Sequence, residues 1–167
     1  MHENKFANKG ERRNTRMTLT EKECGLLQDM KQQEQLCIEK YEKYARMACS
    51  TELKALFCDL RDIEKRHLAS IEALQQGQVS TVGESIEGSN NRHCGCSDYC
   101  DEQSRAQDAF LCRDMLMTEK HASSLYDTSV FEFADPAARK LLSHIQQEEQ
   151  QHGERLFAYM KANQIYG

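Results

Sequence analysis

Proline is almost absent from this 167-residue chain, which has only Pro136, and its eight glycines are confined: between Leu26 and Gly153 every one falls within 77–95. With both breakers missing elsewhere, long stretches are free to be helix. No window approaches the roughly 18 consecutive apolar residues of a spanning helix, and the opening MHENKFANKGERRNTRM lacks the apolar run of a signal peptide. The expectation is a protein made in the cytoplasm with no place in a membrane. An excess of basic residues is missing too: 22 Lys and Arg face 27 Asp and Glu, for a net charge of −5 and an isoelectric point of about 5.7. That balance argues against a nucleic-acid partner. At 19.3 kDa the chain can fill one core rather than two. Cysteine, in contrast, is plentiful. Of the eight, Cys24, Cys37, Cys49, Cys58 and Cys112 are scattered through helix-like sequence, which suits thiols or metal ligands better than a disulfide framework.

Residues 1–17 carry Lys5, Lys9, Arg12, Arg13 and Arg16 with little apolar content and read as a flexible basic tail; 18–167 form the folded domain. Thr20 and Glu23 make a capping box, after which Leu27, Met30, Cys37, Tyr41, Ala45 and Ala48 recur every three or four residues, predicting a helix over about 20–48. A second helix follows Ser50 and Thr51, with Leu53, Phe57, Leu60, Ile71 and Leu74 on one face and Gly77 as its stop. The segment of about 77–103 has no sustained period and reads as a long crossover. A third helix is expected from about Ser104 to near Phe133, and Asp135 with Pro136 starts a fourth through Leu141, Ile145, Leu156 and Tyr159. Short, long and short connections predict an all-α, antiparallel four-helix bundle of two helical hairpins.

Each apolar stripe is interrupted at its middle by Glu or His: Glu34 in the first helix, Glu64 and His67 in the second, Glu119 in the third, Glu149 and His152 in the fourth. A shift of 85 residues superposes Glu34 on Glu119, Tyr41 on Tyr126, Glu64 on Glu149 and His67 on His152, so both hairpins carry the same half-site. A single Glu-x-x-His is common on a solvated helix face. Two in register, each within an apolar stripe, point instead to a buried group that needs compensation by protons, by partners or by bound cations, of which metal is the economical answer. Glu-x-x-His presents an oxygen and a nitrogen to one ion, and Glu34 and Glu119 are expected to bridge two. Such an oxygen-rich set suits two ions of iron, or of manganese, better than zinc or copper. Glu148 breaks the three-residue spacing to His152 and is expected to be solvated.

Over residues 20–162 these motifs resemble the ferritin-like di-iron and di-manganese carboxylate proteins, rubrerythrins among them. The runs KQQEQLCIEKYEKYA, DMLMTEKHASSLYDTSVFEF and LLSHIQQEEQQHGERLFAYMKAN resemble the coat-F type spore coat proteins of endospore-forming bacteria. The first resemblance implies a ferritin-like fold with Glu34, Glu64, His67, Glu119, Glu149 and His152 as metal ligands. The second implies a place in the spore coat beside other coat proteins. An oxidoreductase that reduces peroxide or oxygen at a di-iron centre is the alternative. No rubredoxin-like module with two Cys-x-x-Cys pairs is present, so electrons would come from an outside partner.

Tyr41 and Tyr126, two turns beyond the first Glu of each half, could hydrogen-bond a ligand carboxylate, donate an electron, or simply fill the core. His2, His121 and His144 fall off the stripes and are expected at the surface; Met30 and Met115 are expected to pack the core rather than bind haem. Cys37 lies one turn from Glu34, where it either lines the site or acts as a small hydrophobe. His93, Cys94, Cys96 and Cys100 in the crossover match no standard zinc knuckle. They leave open a soft-metal site, thiols that cross-link copies into a homo-oligomer through Cys94, Cys96 and Cys100, or idle thiols.

Overall fold

In a computed structural model, residues 17–79, 99 and 101–166 are described. The expected basic tail, apart from Met17, and most of the crossover, with His93, Cys94, Cys96 and Cys100, lie outside them, as does His2. Four helices account for nearly all of the described chain: α1 (Glu21–Met47), α2 (Thr51–Gln75), α3 (Glu102–Val130) and α4 (Pro136–Ala162), and no strand occurs among the described residues. No helix of the described chain is long and apolar enough to cross a membrane.

The helix ends follow from local chemistry. Thr20 Oγ1 accepts from the Glu23 amide at 3.2 Å while the Glu23 carboxylate accepts from the Thr20 amide at 2.7 Å, closing the expected capping box. Gly77, at φ 74°, ends α2: its amide reaches Leu74 O, and the Gln78 amide reaches Ala73 O, the paired bonds of a Schellman turn. Asp135 caps α4 by accepting from the amides of Ala137 and Ala138, with Pro136 in the first turn. The third helix starts two residues earlier than expected. Asp101, not a residue near Ser104, is its cap and accepts from the Ser104 amide at 2.7 Å. It also ends earlier, at Val130, so that Phe133 lies buried in the turn rather than in the helix.

Hairpins α1–α2 and α3–α4 are the main packed pairs and stack as a four-helix bundle. The Met17 amide on Gly77 O and the Arg105 guanidinium on Gln164 O join the start of each hairpin to its end, as antiparallel pairs require. Between hairpins, α1 runs antiparallel to α3 through Lys22–Glu132, Tyr44–Asp114 and Ser50–Asp108, and α2 runs antiparallel to α4 through Arg155–Asp59. Consequently α2 and α3 point the same way. The chain leaves α2 at one end of the bundle and re-enters at the other, about 38 Å away for the 25-residue α2, which is why this connection is long.

Two apolar cores result. One holds Tyr41, Phe57, Leu60, Met115 and Leu156; the other holds Leu27, Met30, Ile71, Tyr126 and Ile145. Each fully buried aliphatic side chain contributes about 1.5–3 kcal/mol to folding. Met30 and Met115 pack there as expected. Between the two cores runs a belt of buried acids and histidines. The five cysteines among the described residues are free thiols.

Candidate metal centre

All six residues that interrupt the apolar stripes meet in this belt, and none is more than 2% exposed. Their placement follows from helical geometry: residues at i, i+3 and i+4 share a face, so a stripe that faces the core carries its Glu and His inward too. The His67 Nδ1 lies 3.1 Å from Glu64, 3.0 Å from Glu149 and 3.7 Å from Glu34. The His152 Nδ1 lies 3.0 Å from Glu64, 3.5 Å from Glu119 and 3.8 Å from Glu149. The two imidazoles stack at 5.6 Å between centroids.

Two groups of four emerge. Glu34, Glu64, His67 and Glu149 can each offer one atom within 4.8 Å of the others, and so can Glu64, Glu119, Glu149 and His152. Glu64 and Glu149 belong to both. Glu34 and Glu119, expected to bridge two ions, each belong to one group, and the carboxylates common to both groups are those of the Glu-x-x-His pairs. The reason is long-range. Glu64 reaches from α2 across to His152 of α4, and Glu149 reaches from α4 across to His67 of α2.

Around this group the tyrosines are used crosswise. Tyr41 of α1 donates its hydroxyl to Glu119 of α3, and Tyr126 of α3 donates to Glu34 of α1. Both hydroxyls meet a cluster carboxylate and both rings also fill the apolar cores, so the hydrogen-bonding and core-filling roles coincide. Glu148, expected in solvent, is a partner of the cluster: its carboxylate accepts from the His67 Nε2 at 3.1 Å and is only 14% exposed. His144, expected at the surface, is half-buried and lies 3.3 Å from the same oxygen. His121 is exposed as expected. Nothing in the spacing revealed Glu148, because its partner stands on another helix.

Electrostatics in the belt are severe. Burial pushes the Glu34 carboxyl up to about 7 despite His67 beside it, and burial with the neighbouring Glu64 and Glu34 charges raises Glu149 well above the carboxylate range. Burial works against a charge on Glu64 as well, yet the two histidines outweigh it and hold this carboxyl low. Desolvation disfavours the imidazolium form at both histidines. Surrounding carboxylates prevail, raising His67 strongly and His152 to about 9. Without cations the cluster is thus balanced by protons.

The donors fit hard or borderline divalent ions. Glu34 Oε2, Glu119 Oε2 and both Glu149 oxygens are buried without a hydrogen-bond partner among the described residues, the 3.0 Å approach of Glu149 to His67 being misaligned for one. Such atoms cost free energy unless something binds them. Four carboxylates and two imidazole nitrogens, with no thiolate, match iron or manganese. Cys37 Sγ accepts from Gln33 at 3.4 Å and belongs to neither group; burial and the adjacent carboxylates raise its thiol far above the ordinary range, keeping it protonated.

Fold and site together define a four-helix bundle of two hairpin repeats closed around an acid and histidine core. Residues 107–166, most of α3 and all of α4, match the family model of the Coat F domain. That span contains Glu119, Tyr126, Glu149 and His152, the second half-site. No curated protein and no solved structure gives a significant match.

Proposed function

We propose that this chain is a spore coat-associated protein of ferritin-like fold whose core holds two iron or manganese ions through Glu34, Glu64, His67, Glu119, Glu149 and His152. One observation carries the metal centre: two groups of four ligand atoms, buried between apolar cores, share Glu64 and Glu149. The Coat F match supports the biological setting, with other coat proteins as partners and the spore coat as location.

In this reading Glu64 and Glu149 would be shared by the two ions, and His67 and His152 would each help to hold one. Tyr41 and Tyr126 fix Glu119 and Glu34 by one oxygen and leave the other, Oε2, free to bind. Both phenols stay protonated, since burial and the adjacent carboxylates raise them far above their usual value, so they act as donors. The apolar cores above and below exclude water and make the carboxylates depend on cations rather than hydration. A second reading, an oxidoreductase resembling rubrerythrin, is supported by the same donor set of four carboxylates and two histidines. Bound iron would supply the electrons that reduce peroxide or oxygen, renewed by an outside reductant.

Metal analysis of freshly purified protein, a peroxide-consumption assay on the iron-loaded chain, and fractionation of spores test these readings together. The expected results are two ions per chain, slow single-turnover oxidation of ferrous ions without an added reductase, and recovery in the coat fraction. Sustained turnover with a generic electron donor, or an even distribution through vegetative cells, would promote the enzyme.

A further inference from the structure

The two halves of the centre match on their inner side and differ on their outer side. His67 turns its Nε2 to the Glu148 carboxylate at 3.1 Å, and His144, one turn earlier on α4, lies 3.3 Å from the same oxygen. His152, 1% exposed, has no hydrogen-bond partner for its Nε2 among the described residues. The repeat explains the difference. Shifting by 85 residues carries Glu148 onto Ile63 and His144 onto Asp59. Ile63 packs on the apolar core and offers no acceptor, while Asp59 is engaged with Arg155 at 3.2 Å.

An imidazole that binds an ion through Nδ1 carries its proton on Nε2. A carboxylate accepting that proton fixes the tautomer and ring orientation and makes the other nitrogen a stronger donor. Glu148 can do this for His67; Ile63 cannot do it for His152. We propose that Glu148 is a positioning residue that makes the two metal positions unequal, so that the ion at His67, Glu34, Glu64 and Glu149 is held more tightly than the ion at His152, Glu119, Glu64 and Glu149. The inference rests on the metal-centre reading above. It predicts ordered loading, with the His67 position filled first.

The test is titration of the metal-free full-length chain with Mn(II), free ion being followed by electron paramagnetic resonance. Wild type should bind in two separated steps. Two single-position chains assign them: His152→Ala retains the His67 position, and His67→Ala retains the other. Glu148→Ile, which installs the residue found at the equivalent place of the repeat, should weaken Mn(II) about 10–100-fold in the His152→Ala chain and leave the His67→Ala chain unchanged. Circular dichroism checks folding. Where isoleucine disturbs the helix, Glu148→Gln, which keeps an acceptor oxygen without the charge, should give a smaller loss confined to the same chain. Equal losses in both chains, or none in either, overturn the inference and leave the metal centre standing. A wild-type chain that binds no Mn(II) overturns the centre, and this inference with it.

Discussion

Glu23 and Asp108 stand 85 residues apart and perform the same act at opposite ends of the bundle: each is a buried carboxylate that clamps the turn of the other hairpin. Asp108 accepts from the amides of Cys49 and Ser50 at 2.8 and 2.9 Å; Glu23 accepts from the amide of Ala134 at 3.0 Å, the residue that the same shift superposes on Cys49. The clamps join α3 to the α1–α2 turn and α1 to the α3–α4 turn, extending the repeat beyond the acid and histidine half-sites. Replacing Asp108 with Ala leaves two amides unsatisfied and should cost about 2–4 kcal/mol, read as a lower urea midpoint with unchanged slope. Glu23→Ala should cost somewhat less, because Glu23 satisfies one amide across the interface and one within its own cap. A loss within about 0.5 kcal/mol for Asp108→Ala would show that the clamp contributes little.

Shared and unshared carboxylates should behave differently toward metal. Loading with ferrous or manganous ions should raise the melting temperature, since ligand at 100 times its dissociation constant stabilises by about 2.7 kcal/mol. Because Glu64 and Glu149 belong to both groups, Ala at either should weaken both positions, whereas Glu34→Ala should spare the His152 position and Glu119→Ala the His67 position. Metal stoichiometry of the four variants checks this. Identical stoichiometry in all of them would rule out the assigned sharing.

Stability without metal and affinity for metal should respond to pH in opposite senses. The raised Glu34 and His152 values mean that the folded state binds more protons than the unfolded one, from about pH 4.5 to 7 for Glu34 and 6.5 to 9 for His152. Their stabilisation is full below those windows and lost as pH rises through them, so the metal-free protein should melt lower at pH 9 than at pH 6. Glu64 has the reverse sign and takes stability away only under acid, as pH falls below the ordinary carboxylate range. Ion binding must displace the same protons, so Mn(II) affinity should increase from pH 6 to 9. Melting curves and titrations at the two pH values read both trends. A metal-free chain more stable at pH 9 would contradict the proton-balanced cluster.

The end of α4 offers a gain. Gln164 occupies the left-handed region at φ 53° in a turn closed by its own amide on Lys161 O and that of Ile165 on Met160 O. Gly77 holds the same place at the end of α2 without a side-chain penalty. Gln164→Gly should stabilise the protein by about 0.5–1 kcal/mol, seen as a higher melting temperature of the metal-free chain. An unchanged or lower melting temperature would mean that the glutamine side chain contributes packing there.

Much of this architecture was legible along the chain. Confined glycine, a single proline, the caps at Thr20 and Asp135 and the turn at Ser50 and Thr51 mark three of the helix starts. The three-and-four spacing of Leu27, Met30, Cys37 and Tyr41 tells which face is buried. The third helix was harder. Asp101 adjoins a glycine- and serine-rich stretch in which one cap does not stand out, and Ser104, one turn before the buried Asp108, gave a plausible but late start.

Periodicity measures the angle of a residue about its own helix axis, and this alone placed Glu34, Glu64, His67, Glu119, Glu149 and His152 on the inward faces. The repeat of 85 residues then paired them into half-sites. Which carboxylates the two groups share depends on the offsets among four helices, to which an angle about one axis is blind. Only tertiary packing therefore made Glu64 and Glu149 the shared pair and turned Tyr41 to Glu119 and Tyr126 to Glu34. The same packing brought Glu148, one residue off the stripe, against His67 of another helix, where a hydrogen bond of 3.1 Å decides its environment and its own helical spacing does not.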